Sequence, residues 1–153
     1  IRNTLDKSSF QNTLIMSYAA KYASVYYSPF RKAVAASSNL GVDKKKSYQM
    51  DYCNADEALK EVAMDINEGT DIILIKPGMP YLDVVKTVKD TFKFPTFSFQ
   101  VSGEYSMLIK SIEEGYMEKN DVILETLSCF KRAGADGILT YFALEAANIL
   151  KKG

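Results

Sequence analysis

Short apolar runs alternate with stretches of helical periodicity along the whole chain, and this alternation limits the fold more than any other feature. Residues 13–18 (TLIMSY), 70–75 (TDIILI), 96–101 (TFSFQV) and 137–142 (GILTYF) read as strands. Their apolar character is nearly continuous, as a parallel strand covered on both faces requires. Between the first two, Ala58, Leu59, Val62, Ala63 and Ile66 recur at helical spacing, with Asn54 or Asp56 as N-cap and Gly69 just past the end. Helices are also predicted over 81–90, which follows Pro80, and over 105–114, 121–133 and 143–151. In 121–133 the residues expected inward are Val122, Leu124, Leu127, Phe130 and Ala133, with Gly134 at the C-cap. The class is therefore α/β: four βα units forming a parallel sheet with crossover helices. A closed (β/α)8 barrel typically needs about 250 residues. On their own, four units suit a barrel segment and an open sheet equally.

The 153 residues suffice for one domain, and lysine plus arginine equals aspartate plus glutamate at 19 each. No excess charge argues for nucleic acid or an anionic membrane as partner, and the short lysine runs at 44–46 and 151–152 read as solvated surface. No apolar stretch has the length of a membrane span. The chain begins at Ile1, and IRNTLDKSS reads as the tail of a helix already under way. A piece of a longer chain is expected, with any targeting segment on the preceding part. Histidine is absent, which removes Ser-His and Cys-His nucleophiles and histidine metal sites. Cys53 and Cys129 form no CxxC; Cys129 falls in a helical pattern and reads as buried filler. Acid–base chemistry is left to Lys, Tyr, Asp, Glu or water.

Two lysines stand out. Lys76 ends the second predicted strand in IILIKPGMP, and Lys21 follows the first in MSYAAKYAS. Burial and a neighbouring cation both disfavour a protonated amine, and a neutral lysine amine can attack a ketone to form a Schiff base. The plainer reading is that each lysine reaches solvent or pairs with a carboxylate. Spacing alone leaves both readings open. The connection over residues 19–52 is also unusually long for a βα loop, and it belongs to the face where α/β folds place their sites.

MSYAAKYASVYYSPFR and LIKPGMPYLDVV closely resemble the porphobilinogen synthase family, also called 5-aminolevulinate dehydratase. The resemblance continues through SYQMDYCNADEALKEVAMDINEGTDIILIKPG, QVSGEYSML and KRAGADGILTYF, covering nearly the whole chain from about Leu14. It implies a (β/α)8 TIM barrel, of which this chain is the carboxyl-terminal portion, with an active-site lid over 19–52. It also implies a lyase that condenses two molecules of 5-aminolevulinate to porphobilinogen for tetrapyrrole and haem synthesis, holding both as Schiff bases. By that resemblance Lys76 takes the propionate-side substrate and Lys21 the acetate-side one. Ser102 and Tyr141 match the hydroxyl donors for one carboxylate. Arg31, Lys45 (or Lys46) and Gln49 match lid residues gripping the other, and Tyr27 is grouped with the substrate-binding residues. Glu61 matches the glutamate that holds an allosteric magnesium. The active-site metal, magnesium or zinc, has its ligands upstream of this chain, as does the arm that builds an octamer.

The departures are Phe99, where the family usually has tyrosine, Ser28 in place of glycine, and Tyr52-Cys53 in place of Pro-Ala. VSGEYSM and ILTYFALEAA look more like the magnesium-using plastid branch. Two other readings are a class I aldolase-like Schiff-base enzyme and an inactive half-barrel, whose two open sheet edges would invite pairing.

Overall fold

The computed structural model describes residues 1–34 and 48–151. A short helix α1 (Arg2–Lys7) leads to β1 (Met16–Lys21), a 3-10 turn (Val25–Tyr27) and α2 (Ser28–Ala33). Then come α3 (Asp56–Asn67), β2 (Ile72–Lys76), α4 (Leu82–Phe92), β3 (Thr96–Phe99), α5 (Ser102–Glu113), α6 (Lys119–Ala133), β4 (Gly137–Leu139) and α7 (Ala143–Leu150). The four strands are parallel and lie in the order β1-β2-β3-β4. A doubly wound open sheet reverses its strand order at a switch point. The unbroken order instead matches consecutive strands of a barrel, with α3, α4 and α6 packed on one face of the sheet.

That face carries the main core. Ile73, Ile75 and Ile138 pack with Val62 of α3, Val84, Val85 and Val88 of α4, and Phe130 of α6. Each fully buried Val, Ile or Phe contributes about 1.5–3 kcal/mol by leaving water. A second cluster joins Ile123, Phe142 and Ala146 beneath α5. Asn54 caps α3, its Oδ1 accepting from the N–H groups of Asp56 and Glu57. Gly134 takes φ +103° at the end of α6, a conformation that only glycine adopts without strain.

The structure moves several sequence expectations. β1 starts three residues later than expected and runs to Lys21, so Lys21 ends the strand rather than following it. The TLI run begins before the strand; Leu14 is exposed there. On α6 the buried positions are Ile123, Thr126, Phe130 and Ala133, while Val122 and Leu124 are only half-buried. The helix is rotated so that Ile123 reaches the second cluster. Cys129 is half-buried rather than buried, with its sulfur 3.3 Å from Arg132 Nη2.

The opposite sheet face, bearing Leu74, Lys76, Phe97, Phe99 and Leu139, is less covered: Phe97, Phe99 and Leu139 are half-buried and Tyr18 is exposed.

Candidate active site

Lys21 and Lys76 are register partners at the carboxyl ends of β1 and β2. The pairing depends on an irregularity. Ser17 pairs with Ile73, but Ala20 pairs with Ile75, so β1 holds one extra residue over that interval. Side chains alternate faces along a strand, so a regular β1 would put Lys21 on the same side as Ser17. Ser17 faces the helices, its hydroxyl bonded to Asp65 of α3. The bulge reverses that parity and turns Lys21 to the face of Lys76.

Aromatic rings surround the Lys76 amine. Its Nζ lies 4.0 Å from the Phe99 ring centroid, 5.4 Å from that of Tyr18 and 5.6 Å from that of Tyr27. Lys21 Nζ lies 5.7 Å from the same Tyr18 ring. Burial, and secondly the charge of Lys21, hold the Lys76 amine below the ordinary lysine range. Among the described residues no carboxylate forms an ion pair with Lys76, so the pairing expected of a structural lysine is not what places it.

The other expected residues divide. Tyr27 is in the site: its ring also carries the Arg31 guanidinium at 5.3 Å. Its hydroxyl is buried without a hydrogen-bond partner among the described residues. Burial, above all, pushes that phenol far up from its usual value. Gln49 is likewise buried, its side-chain oxygen unpaired among the described residues. Gln49 and Arg31 line a cavity of about 870 Å³ together with Tyr22, Tyr81 and Asp83. Gln49 also lines a polar cleft of about 400 Å³ with Lys21, Asp51, Glu57 and Glu61.

Ser102 is the first residue of α5 rather than the end of β3. Its Oγ accepts from Phe30 N–H at 3.1 Å and donates to the Tyr26 carbonyl at 3.4 Å, fastening α2 to α5. Tyr141 lies two residues past β4, is 46% exposed, and tilts against Tyr105 with centroids 5.2 Å apart. Lys45 lies outside the described residues.

Glu61 is an exposed carboxylate on α3, and no cluster of three acidic, cysteine or histidine groups exists among the described residues. That donor set fits a magnesium ion keeping most of its waters and touching one carboxylate, and does not fit a closed cage.

Two contributors escape the sequence reading. Tyr18 lies over both amines, hidden because the bulge conceals its facing. Glu104 is 3% exposed, and its carboxylate accepts backbone N–H bonds from Met79 (2.5 Å), Val101 (2.7 Å) and Gly78 (3.3 Å). The signal available for it was a glutamate three residues after Val101, the spacing at which a helix's first turn reaches back to its cap.

The family model for delta-aminolevulinic acid dehydratase matches residues 1–149. The chain belongs to the delta-aminolevulinic acid dehydratase family. It is 53% identical over 151 residues to the delta-aminolevulinic acid dehydratase of Bradyrhizobium diazoefficiens, covering 99% of this chain and 42% of that protein. It is 49% identical over 150 residues to the chloroplastic delta-aminolevulinic acid dehydratase 1 of Arabidopsis thaliana, covering 98% of this chain and 34% of that one. A crystal structure of the Toxoplasma gondii delta-aminolevulinic acid dehydratase, in complex with the reaction product porphobilinogen, superposes with a TM-score of 0.91 at 46% identity. That match covers 97% of this chain and 42% of the other. The chain thus spans less than half the length of these relatives, and its four βα units correspond to part of the family's barrel. Bacterial and chloroplastic dehydratases both stand among the relatives.

Proposed function

We propose that this chain carries the two imine-forming lysines of a 5-aminolevulinate dehydratase, a hydro-lyase that joins two 5-aminolevulinates to porphobilinogen and releases two waters. The observation that carries the reading is the register pairing of Lys21 with Lys76. Each amine, when neutral, attacks a substrate keto carbon, and the carbinolamine loses water to give the imine. Lys76, held below its ordinary range by burial and by Lys21, has a larger neutral fraction near pH 7 than an exposed lysine, and attack on the ketone requires the neutral amine. Adjacent imines on neighbouring strands bring two substrates together at one rim.

Tyr27 and Gln49 offer buried polar atoms with no protein partner among the described residues, which supports their meeting substrate. Arg31, whose guanidinium lies against the Tyr27 ring, is the carboxylate clamp of a lid in the long connection that follows β1, to which Lys45 also belongs. Ser102 and Tyr141 are the hydroxyl donors at the propionate side. Ser102 must release the long bond to the Tyr26 carbonyl before it can donate to a substrate. Magnesium at Glu61 would supply a cation in the cleft that Lys21 also lines.

We place the chain with the magnesium-using plastid branch on VSGEYSM and ILTYFALEAA, and propose the octamer for the longer protein. The half-covered face of Phe97, Phe99 and Leu139 supports a second reading, in which the chain needs further strands before it turns over.

The test is borohydride trapping with 5-aminolevulinate, followed by peptide mapping. An adduct on Lys76 or Lys21 is expected. A folded chain that traps on neither lysine, alone or within the longer protein, would overturn the assignment.

A further inference from the structure

We infer that Glu104 is a positioning residue for Lys76: its buried carboxylate ties the turn after β2 to the start of α5 and so sets where the Lys76 amine stands. The inference deepens the reading of Lys76 as an imine-forming lysine and rests on it.

Glu104 belongs to the first turn of α5, immediately after Gly103 and Ser102. Its two oxygens take backbone N–H groups from two different segments. Gly78 and Met79 lie two and three residues after Lys76, and Val101 ends the connection from β3. A carboxylate has about four lone-pair sites, so one group can serve all three donors. In a buried setting each such bond is charge-assisted, and each N–H would otherwise be stranded. The two joined segments are the ones flanking the amine: Lys76 precedes the turn, and Phe99, whose ring lies 4.0 Å from Lys76 Nζ, precedes Val101. Other features crowd the same joint. A Cβ at Gly103 would fall 2.5 Å from the Tyr26 carbonyl oxygen, so this helix start sits directly against the segment that carries Tyr27. Glu104 is therefore held where the β2 turn meets the β3–α5 connection, one residue from the point at which α5 abuts the 3-10 turn at Tyr26.

No cation is paired with Glu104 among the described residues, and burial raises its carboxyl above the usual range while the three N–H bonds pull it back. A bare structural role would leave the Lys76 amine indifferent to the identity of this side chain. A positioning role would not. The groups facing the amine are Lys21 and Tyr18 from β1, Tyr27 from the following turn, and Phe99 from β3.

The sign of one measurement separates the possibilities. Glu104→Gln removes a negative charge and sets an amide NH2 against backbone donors. Electrostatics alone would lower the Lys76 pKa. Loosening of the turn would free the amine from its aromatic enclosure and from Lys21, and raise it.

Competitive acetylation with acetic anhydride, read at Lys76 against exposed Lys60 by mass spectrometry across pH, gives the midpoint without substrate. We expect the midpoint to rise in Glu104→Gln, and again in Glu104→Asp, which keeps the charge but withdraws it by a methylene. An unchanged or lowered midpoint in a folded variant overturns the proposal. Should neither variant fold, amide exchange on the unsubstituted chain decides: slow exchange at Gly78, Met79 and Val101 that accelerates together with Lys76 acetylation as denaturant is added supports it, and exchange there at unprotected rates overturns it. Trapping on the unsubstituted chain is scored separately, so a failed imine reading is told apart from a failed positioning role.

Discussion

Lys21 and Lys76 end neighbouring parallel strands as direct register partners, and they face each other only because β1 takes up one extra residue between Ser17 and Ala20. Their amines share the Tyr18 ring, at 5.7 and 5.4 Å from its centroid. Proximity of two cations in a half-buried, aromatic setting makes the neutral amine accessible, and imine chemistry begins from the neutral amine.

Lys21→Met should raise the Lys76 midpoint, because a neighbouring charge is gone. The rise should stop short of an exposed lysine, because burial, the larger cause, remains. The sign is that of an amine: its depressed value enlarges the neutral fraction below the ordinary lysine pKa, so Lys76 acetylation near pH 7 should slow in the variant. A midpoint that does not move would show that the two amines do not sense each other.

Deleting Ala19 removes the extra residue while leaving Ser17 opposite Ile73 and Lys21 opposite Lys76. The Lys76 midpoint should therefore hold, at a stability cost of about 1 kcal/mol typical of a single change. The pH profile of acetylation and a thermal melt check this. A midpoint at the level of an exposed lysine would mean that the bulge shapes the site beyond restoring register.

Tyr27→Phe takes away a buried hydroxyl with no protein partner among the described residues. Stability should hold or rise by about 1 kcal/mol, as removal of an unsatisfied polar group allows. If that hydroxyl meets substrate, the affinity for 5-aminolevulinate should fall about tenfold, equal to about 1.4 kcal/mol. Tyr116→Phe is the comparison: Tyr116 is 81% exposed, between α5 and α6. That variant should leave substrate affinity unchanged. Equal affinity losses in the two would remove Tyr27 from the substrate site.

Gly103→Ala should destabilise the chain by about 1–3 kcal/mol, the usual cost of overpacking. The new Cβ would meet backbone, at 2.5 Å from the Tyr26 oxygen and 2.7 Å from its Cα, which cannot swing aside as a side chain can. Thermal unfolding measures it, and an unchanged melting temperature would contradict the close approach of α5 to the Tyr26 segment.

Glu61→Gln should weaken magnesium binding, titrated calorimetrically on the unsubstituted and substituted chains. Identical titrations would take the metal away from Glu61.

The four strands, their parallel direction and most helices were legible in the sequence, because continuous apolar runs and helical repeats record burial directly. Asn54 at the head of α3 and Gly134 at the end of α6 were legible for the same local reason: a cap depends on a few neighbouring residues. The chain's family was readable from its strings, and with it the candidacy of Lys21 and Lys76 as imine-forming lysines. What only the tertiary structure decided is how those residues face. A single extra residue in β1 reverses the side of Lys21, and nothing in the composition of MSYAAK announces it. The phase of α6 followed the second cluster under α5, not the strongest apolar repeat. Glu104 acts on backbone N–H groups 25 and 26 residues earlier in the chain, and backbone amides carry no sequence signature. Local patterns are written in neighbouring residues; register, facing and buried hydrogen bonds are settled by distant segments meeting, and so appear only when the chain is folded.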